Sequence, residues 1–235
     1  MQAKQFLTLL LLAAIWGAAF LFMRIVAPAL GPGQLVTSRM VLSGLFLAVV
    51  CLAWRKPLPA RKDWGHYLLL GLLSSVLPFL LYAYAATRLS ASLLSILNAT
   101  APLWAAIITA AWTRNRLAAR KILGLGLGIL GVTILVGFDP AAMQAGNGWA
   151  ILAAILAALC YGIATLYMSI GRTIDPFTNA HGSAWAAALL VAPTLLIFPA
   201  PGPITVQVTL ATLALGIVCS GFAFLLYFRL ATEIG

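Results

Sequence analysis

Eight runs of apolar residues, each near the ~20 residues that a helix needs to cross a hydrocarbon core of ~30 Å, dominate this chain. They extend over Gln5 to Ala27, Gly33 to Trp54, Trp64 to Thr87, Ser90 to Trp112, Ile122 to Phe138, Gly148 to Gly171, Phe177 to Phe198 and Thr209 to Phe228. Short Pro-, Gly- and charge-bearing segments separate them: Pro28 to Pro32, Arg55 to Asp63, Arg114 to Lys121, Asp139 to Asn147, Asp175-Pro176 and Pro199 to Pro203. With 63% hydrophobic and 8% charged residues and a mean hydropathy of +1.08, the chain departs from soluble domains, where roughly a quarter of residues are charged. Its solvent is lipid, and the expectation is an all-α integral membrane protein with eight transmembrane helices.

The first run could imitate a secretory signal, since Lys4 precedes it and Ala27-Pro28-Ala29 follows. It is too long for a signal core, Arg24 interrupts its end, and it matches Trp149 to Ile170 deep in the chain, so it reads as a mature span. A cytoplasmic N-terminus places Lys4, Arg55, Lys56, Arg61, Lys62, Arg114, Arg116, Arg120, Lys121, Arg172 and Arg229 inside, and only Arg24, Arg39 and Arg88 outside. That distribution orients the protein with its N-terminus in the cytoplasm of a cell (inner or plasma) membrane. The net charge of +10 then belongs to topology and anionic headgroups, and a nucleic-acid partner is not expected.

The chain also repeats itself at a period of 145 residues, far longer than a solenoid unit. Leu70, Gly71, Ser75, Phe79-Leu80-Leu81-Tyr82 and Ala86-Thr87 recur as Leu215, Gly216, Ser220, Phe224-Leu225-Leu226-Tyr227 and Ala231-Thr232. Trp16-Gly17 and Leu21-Phe22-Met23 fall on Tyr161-Gly162 and Leu166-Tyr167-Met168. The first copy, Ala3 to Phe138, holds five spans, and an odd number forces the second to enter from the opposite face, as in inverted-repeat transporters. The second, Gly148 to Gly235, holds three; by the same offset Gly235 corresponds to Ser90, and a truncated second repeat is expected.

These residues resemble the EamA-type permeases of the drug/metabolite transporter superfamily. The resemblance rests on Trp16-Gly17, on Arg39, on Tyr82 to Arg88 leading into a Ser-rich fourth span with Pro102, and on Gly124 with Gly131-Val132. It implies a ten-helix fold of two inverted five-helix repeats, a substrate cavity between them, and efflux of small metabolites such as amino acids. The chain departs from the family at Asn115-Arg116-Leu117, where a Glu usually stands before the basic residue.

Within the spans, Arg39 is the sharpest candidate, because intramembrane charge is expensive and normally turned toward a partner or an aqueous cavity. Binding of a substrate carboxylate or phosphate competes there with snorkelling of the side chain to the outer interface. Trp16, Tyr82, Asn98, Tyr161, Trp185 and Ser220 lie inside their spans and would furnish an aromatic cavity with polar handles, against a plain packing role. Ser92, Ser95, Ala99 and Pro102 share one helical face, suited to close helix contact or to a water-accessible wall. His181 opens the seventh span beside Asn179, where it could titrate during transport or simply be solvated at the interface.

Several formal motifs carry no chemistry here. Gly126-x-Gly128-x-x-Gly131 lies inside an apolar span, where the overlapping Gly124-x-x-x-Gly128 reads as a helix contact rather than a nucleotide loop. Asn98-Ala99-Thr100 falls within the bilayer and is no glycosylation site. Cys51, Cys160 and Cys219 are odd in number and sit in separate spans, so neither a disulfide, a metal site nor a cofactor is expected. Asp63, Asp139, Asp175 and Glu233 fall at span ends, leaving no membrane-embedded carboxylate for drug–proton exchange. No nucleophile–base or paired-acid set supports an enzyme. A transporter of small organic molecules leads, able to form a homo-oligomer; a truncated component that needs a partner, or is inert, is the alternative.

Overall fold

The computed structural model describes residues 3–114, 119–138, 146–171, 174–197 and 200–234, which form helices joined by short turns with no strand among them. Five helices are long and apolar enough to cross a membrane: α1 (Ala3–Ala53), α2 (Arg61–Ala86), α3 (Ala91–Thr113), α5 (Gly148–Ile170) and α7 (Val206–Tyr227, continuing in helical form to Ile234). Between them lie α4 (Ala119–Gly137), whose apolar stretch is Ile122–Leu135, and α6 (Pro176–Val191). The Asn115-Arg116-Leu117 departure, Arg172 and most of the Asp139 to Asn147 linker lie outside the described residues.

The expected linker Pro28 to Pro32 is instead almost wholly helical. Only Gly31 leaves helical geometry (φ 71, ψ 165), a region open to glycine because it has no Cβ. Pro32 then opens the second arm, where its missing N–H costs nothing. Met23 and Arg39, eight residues to either side of Gly31, touch through Sδ and Nη1 at 3.8 Å, so the two arms fold back on one another. α6 ends earlier than the expected Phe177 to Phe198 run: Ala192 and Pro193 form a turn before a single helical turn at Thr194–Ile197. Proline supplies no N–H and disfavours helix in the residue before it, which explains the stop.

Three helices carry internal defects. α3 breaks after Asn98 and resumes at Ala101, with Ser90 capping its start by accepting from Leu93 N at 3.1 Å. Pro102 brings no N–H for the Asn98 carbonyl four residues earlier. α2 and α7 each contain a π-helical stretch, at Leu72–Val76 and Ala214–Phe222. Shifted by 145 positions, the first falls inside the second.

The second arm of α1 runs through the centre of the molecule, with Val36, Met40, Ser43, Gly44, Leu47 and Cys51 all buried. Glycine makes its closest contacts. A Cβ on Gly71 would stand 2.8 Å from the Ser183 carbonyl oxygen and 3.1 Å from Ala187 N, and one on Gly216 would collide with Leu42. Gly71 and Gly216 are 145 residues apart, and so are Leu42 and Ala187, so one contact occurs twice with its partners exchanged between copies. The small-residue face expected on the fourth span is not packed in this way: Ser92, Ala99 and Pro102 are exposed. In the Gly124-x-x-x-Gly128 pair only Gly128 meets a neighbour, Leu103, and the position of Gly124 is open.

Candidate functional site

Arg39 is 5% exposed and does not snorkel. Its Nε donates to Ser220 Oγ at 2.7 Å, and its guanidinium lies 3.8 Å from the centroid of the Phe79 ring. Ser220 can take that bond because its own hydroxyl donates to the Leu215 carbonyl five residues back (2.9 Å), a reach that matches the π-helical winding there. Both arms of α1, α2 and α7 therefore hold one cation. The edge of the guanidinium away from Ser220 bonds no protein oxygen among the described residues, its one further contact being the weak one to Met23 Sδ. Ser75, the repeat counterpart of Ser220, is equally buried, but the counterpart of Arg39 is Ala184, so the charge is present once.

Tyr82 gathers a second group. Its hydroxyl donates to Asn98 Oδ1 at 3.0 Å, at the break in α3, and its ring stacks on Tyr161 (centroids 6.3 Å, 28°) and meets Phe20 edge-on (5.4 Å). Phe79, which lies under the Arg39 guanidinium, precedes Tyr82 by less than one turn of α2, so the two groups adjoin along that helix. Trp16 stands apart, exposed, against Tyr227 at 5.9 Å. Trp16–Tyr227 and Tyr161–Tyr82 are again one contact taken twice, each residue 145 positions from its counterpart.

Trp185 and His181 form a third group on α6. The indole Nε1 donates to His181 Nε2 at 3.0 Å, and the indole lies so close to α1 that a Cβ on Gly44 would stand 3.0 Å from it. His181 is 2% exposed, which overturns the expectation of an imidazole solvated at the interface; Gly182, next to it, admits the Tyr67 ring and closes that side. Of the residues singled out in the sequence, Arg39 and Ser220 are thus brought together, as are Tyr82, Asn98 and Tyr161, and as are Trp185 and His181, while Trp16 meets Tyr227 instead.

The sequence reading missed His66. Its ring stacks on Tyr167 (5.3 Å), with Nδ1 2.8 Å from the Tyr167 hydroxyl and Nε2 2.9 Å from Asn179 Oδ1. The available signal was topological, since residues 66, 167 and 179 all stand at span ends assigned to one membrane face. A cavity of about 530 Å³ opens beside them, lined by Lys62, Asp63, His66, Tyr167 and Ile170. Arg39, itself buried, does not line it.

Residues 4–137 and 148–235 match the EamA-like transporter family. An uncharacterised transporter of Archaeoglobus fulgidus is 25% identical over 243 residues, spanning 99% of this chain and 82% of the relative. The uncharacterised transporter YoaV of Bacillus subtilis is 22% identical over 240 residues, spanning 99% and 81%. A crystal structure of another protein shares the fold with a TM-score of 0.71 at 19% identity, covering 97% of this chain and 79% of that one.

Proposed function

Since this chain belongs to the EamA-like transporter family, we propose that it is a permease that carries small zwitterionic or anionic metabolites, amino acids among them, out of the cell. The observation that carries the substrate class is Arg39. A cation deep in a membrane protein costs ~2.5–3.5 kcal/mol at a helix centre on insertion scales. Arg39 has a hydroxyl, a sulfur and an aromatic face around it but no carboxylate among the described residues. A substrate carboxylate on the free edge of the guanidinium would complete it in bidentate fashion. Tyr82, Asn98 and Tyr161 would take the remainder of the solute.

The mechanism proposed is alternating access between inverted repeats, with the two arms of α1 and helices α2 to α7 supplying eight spans. Two observations support it. Close contacts recur with their partners exchanged at the 145-residue offset, as an approximate two-fold axis requires. The turns also sort by face: Gly202 N bonds the Ala29 carbonyl at 3.0 Å, joining the first and seventh turns, while residues 61–66 meet 167–171 at the other end. With the N-terminus in the cytoplasm, the first of these faces is external and the His66 cavity is cytoplasmic.

Counterflow in proteoliposomes tests the reading, with a radiolabelled mixture of the common amino acids outside and unlabelled amino acids within. Saturable counterflow is expected, inhibited by free amino acids and not by their amides, which lack the carboxylate. Equal inhibition by acids and amides would remove Arg39 from substrate recognition.

A further inference from the structure

His181 is held in one tautomer by its neighbour. An indole N–H can only donate, so His181 Nε2, 3.0 Å from Trp185 Nε1, is the acceptor and carries no proton. The imidazole proton must then be on Nδ1, which is buried without a hydrogen-bond partner. The hydroxyls of Tyr67 and Ser43 are buried and unpartnered as well. All three lie around the same stretch of α6: Tyr67 packs on Gly182, and Ser43 is next to Gly44, which packs on Trp185. Three unsatisfied polar atoms where α1, α2 and α6 meet leave this junction short of hydrogen bonds.

We propose that His181 is the coupling-ion site of this transporter, taking up a proton at Nε2 and thereby expelling the Trp185 indole N–H. The inference rests on the transporter reading and adds the ion. No other arrangement of that pair accepts a proton, because two donors cannot share one hydrogen bond. The imidazolium then presents N–H groups on both sides. Its release frees the indole that packs on Gly44, five residues along α1 from Arg39, so the proton acts on the helix that carries the substrate-binding arginine.

The groups around His181 suit a single reversible proton. From α1 come Cys51, whose thiol contacts the Lys56 carbonyl, and, farther along, Arg39 on Ser220. From α2 come Tyr67 and His66, the latter engaged by Tyr167 and Asn179, with Lys62 and Asp63 beyond it at the cavity. α7 packs through Phe224 and Leu225, and on α6 itself Asp175 caps Thr178. No carboxylate among the described residues is bonded to the ring, so nothing holds the proton permanently. His66, at the edge of the cavity, bonds Asn179, two residues before His181.

The protein has 2 histidines, so ¹⁵N-histidine spectra in lipid nanodiscs can be assigned with His66→Gln. The expected result is an Nδ1–H tautomer for His181 near about pH 8 and an imidazolium near about pH 5. In proteoliposomes carrying the same amino-acid mixture, accumulation driven by a pH difference is compared with counterflow for each protein. One proton per solute gives up to about tenfold accumulation per pH unit. His181→Gln, which can still accept from Trp185 but takes up no proton, should lower that ratio to about one, and Trp185→Phe should lower it while His181 still titrates. A neutral His181 across the range, or an undiminished ratio in His181→Gln, overturns the proposal. Titration of His181 without any counterflow keeps the proton site and removes the amino-acid reading.

Discussion

Arg39 and Tyr82 each have a role that one atom can test. In Arg39→Lys the charge remains, but a primary ammonium replaces the planar fork that lies on Phe79 and donates sideways to Ser220. Hydrogen bonds to charged groups contribute ~1.5–3 kcal/mol. Arg39→Lys should therefore lower kcat/KM for amino-acid uptake by about 10- to 100-fold, and Arg39→Gln by at least as much, with both proteins still reaching the membrane. Halved yield with unchanged kinetics would make Arg39 an anchor for its helix. For Tyr82→Phe the expectation is thermodynamic: the part-buried Asn98 Oδ1 loses its donor at the break in α3, and a typical hydrogen bond contributes ~0.5–1.5 kcal/mol. Differential scanning fluorimetry should show a lower Tm, and an unchanged Tm would mean that water already serves Asn98. Arg39 was legible in the sequence because the cost of burying charge singles it out. Its partner Ser220, 181 positions away, could be named only as a polar residue within a span, and His66 escaped notice because a histidine near a span end looks ordinary until Tyr167 and Asn179 close on it.

Among the elements, apolar length and punctuation gave the helices, and backbone detail escaped them. Gly31 alone makes the bend that five residues from Pro28 to Pro32 seemed to require, because prolines at the end of one arm and the start of the next are compatible with helix. The π-helical stretches at Leu72–Val76 and Ala214–Phe222 have no signature in composition. They become intelligible only once Gly71 and Gly216, beside or within them, are seen to admit α6 and α1. That contact gives a test with its own control. A methyl group at Gly71 would meet backbone atoms of α6, which cannot move aside as a side-chain tip can. Gly71→Ala should cost ~1–3 kcal/mol, the usual range for overpacking, whereas at Gly17, where nothing lies within 4 Å, alanine should leave the thermal midpoint unchanged or raise it. Equal loss at both sites would mean that helix flexibility, and not the close approach, is what those glycines supply.

For the whole molecule, the 145-residue period was the most informative sequence feature, because it made contacts at one end foretell contacts at the other. Tyr161–Tyr82 and Trp16–Tyr227 illustrate this: the chemistry drifted from Tyr to Trp at one position while the pairing remained. What the period could not foretell was asymmetry, since Arg39 faces Ser220 where its counterpart position offers only Ala184 and Ser75. The orientation proposed for this assembly in the membrane rests on charge. Arg55, Lys56, Arg61 and Lys62 crowd the turn between α1 and α2, at the end where the His66 cavity opens, and positively charged loops are retained in the cytoplasm. The turn between α6 and α7, tied by Gly202 to Ala29, carries no basic residue and is the face proposed to lie outside. Cysteines placed at Lys56 and at Ile204, which is 65% exposed, read the two faces separately, and native Cys51 and Cys219 are buried. An impermeant maleimide added to intact cells should label Ile204→Cys and spare Lys56→Cys until the membrane is opened. The reverse pattern would turn the protein over and make the His66 cavity external. Labelling of both from one side would break the parity of the spans, and with it the inverted repeat on which the proposed transport cycle depends.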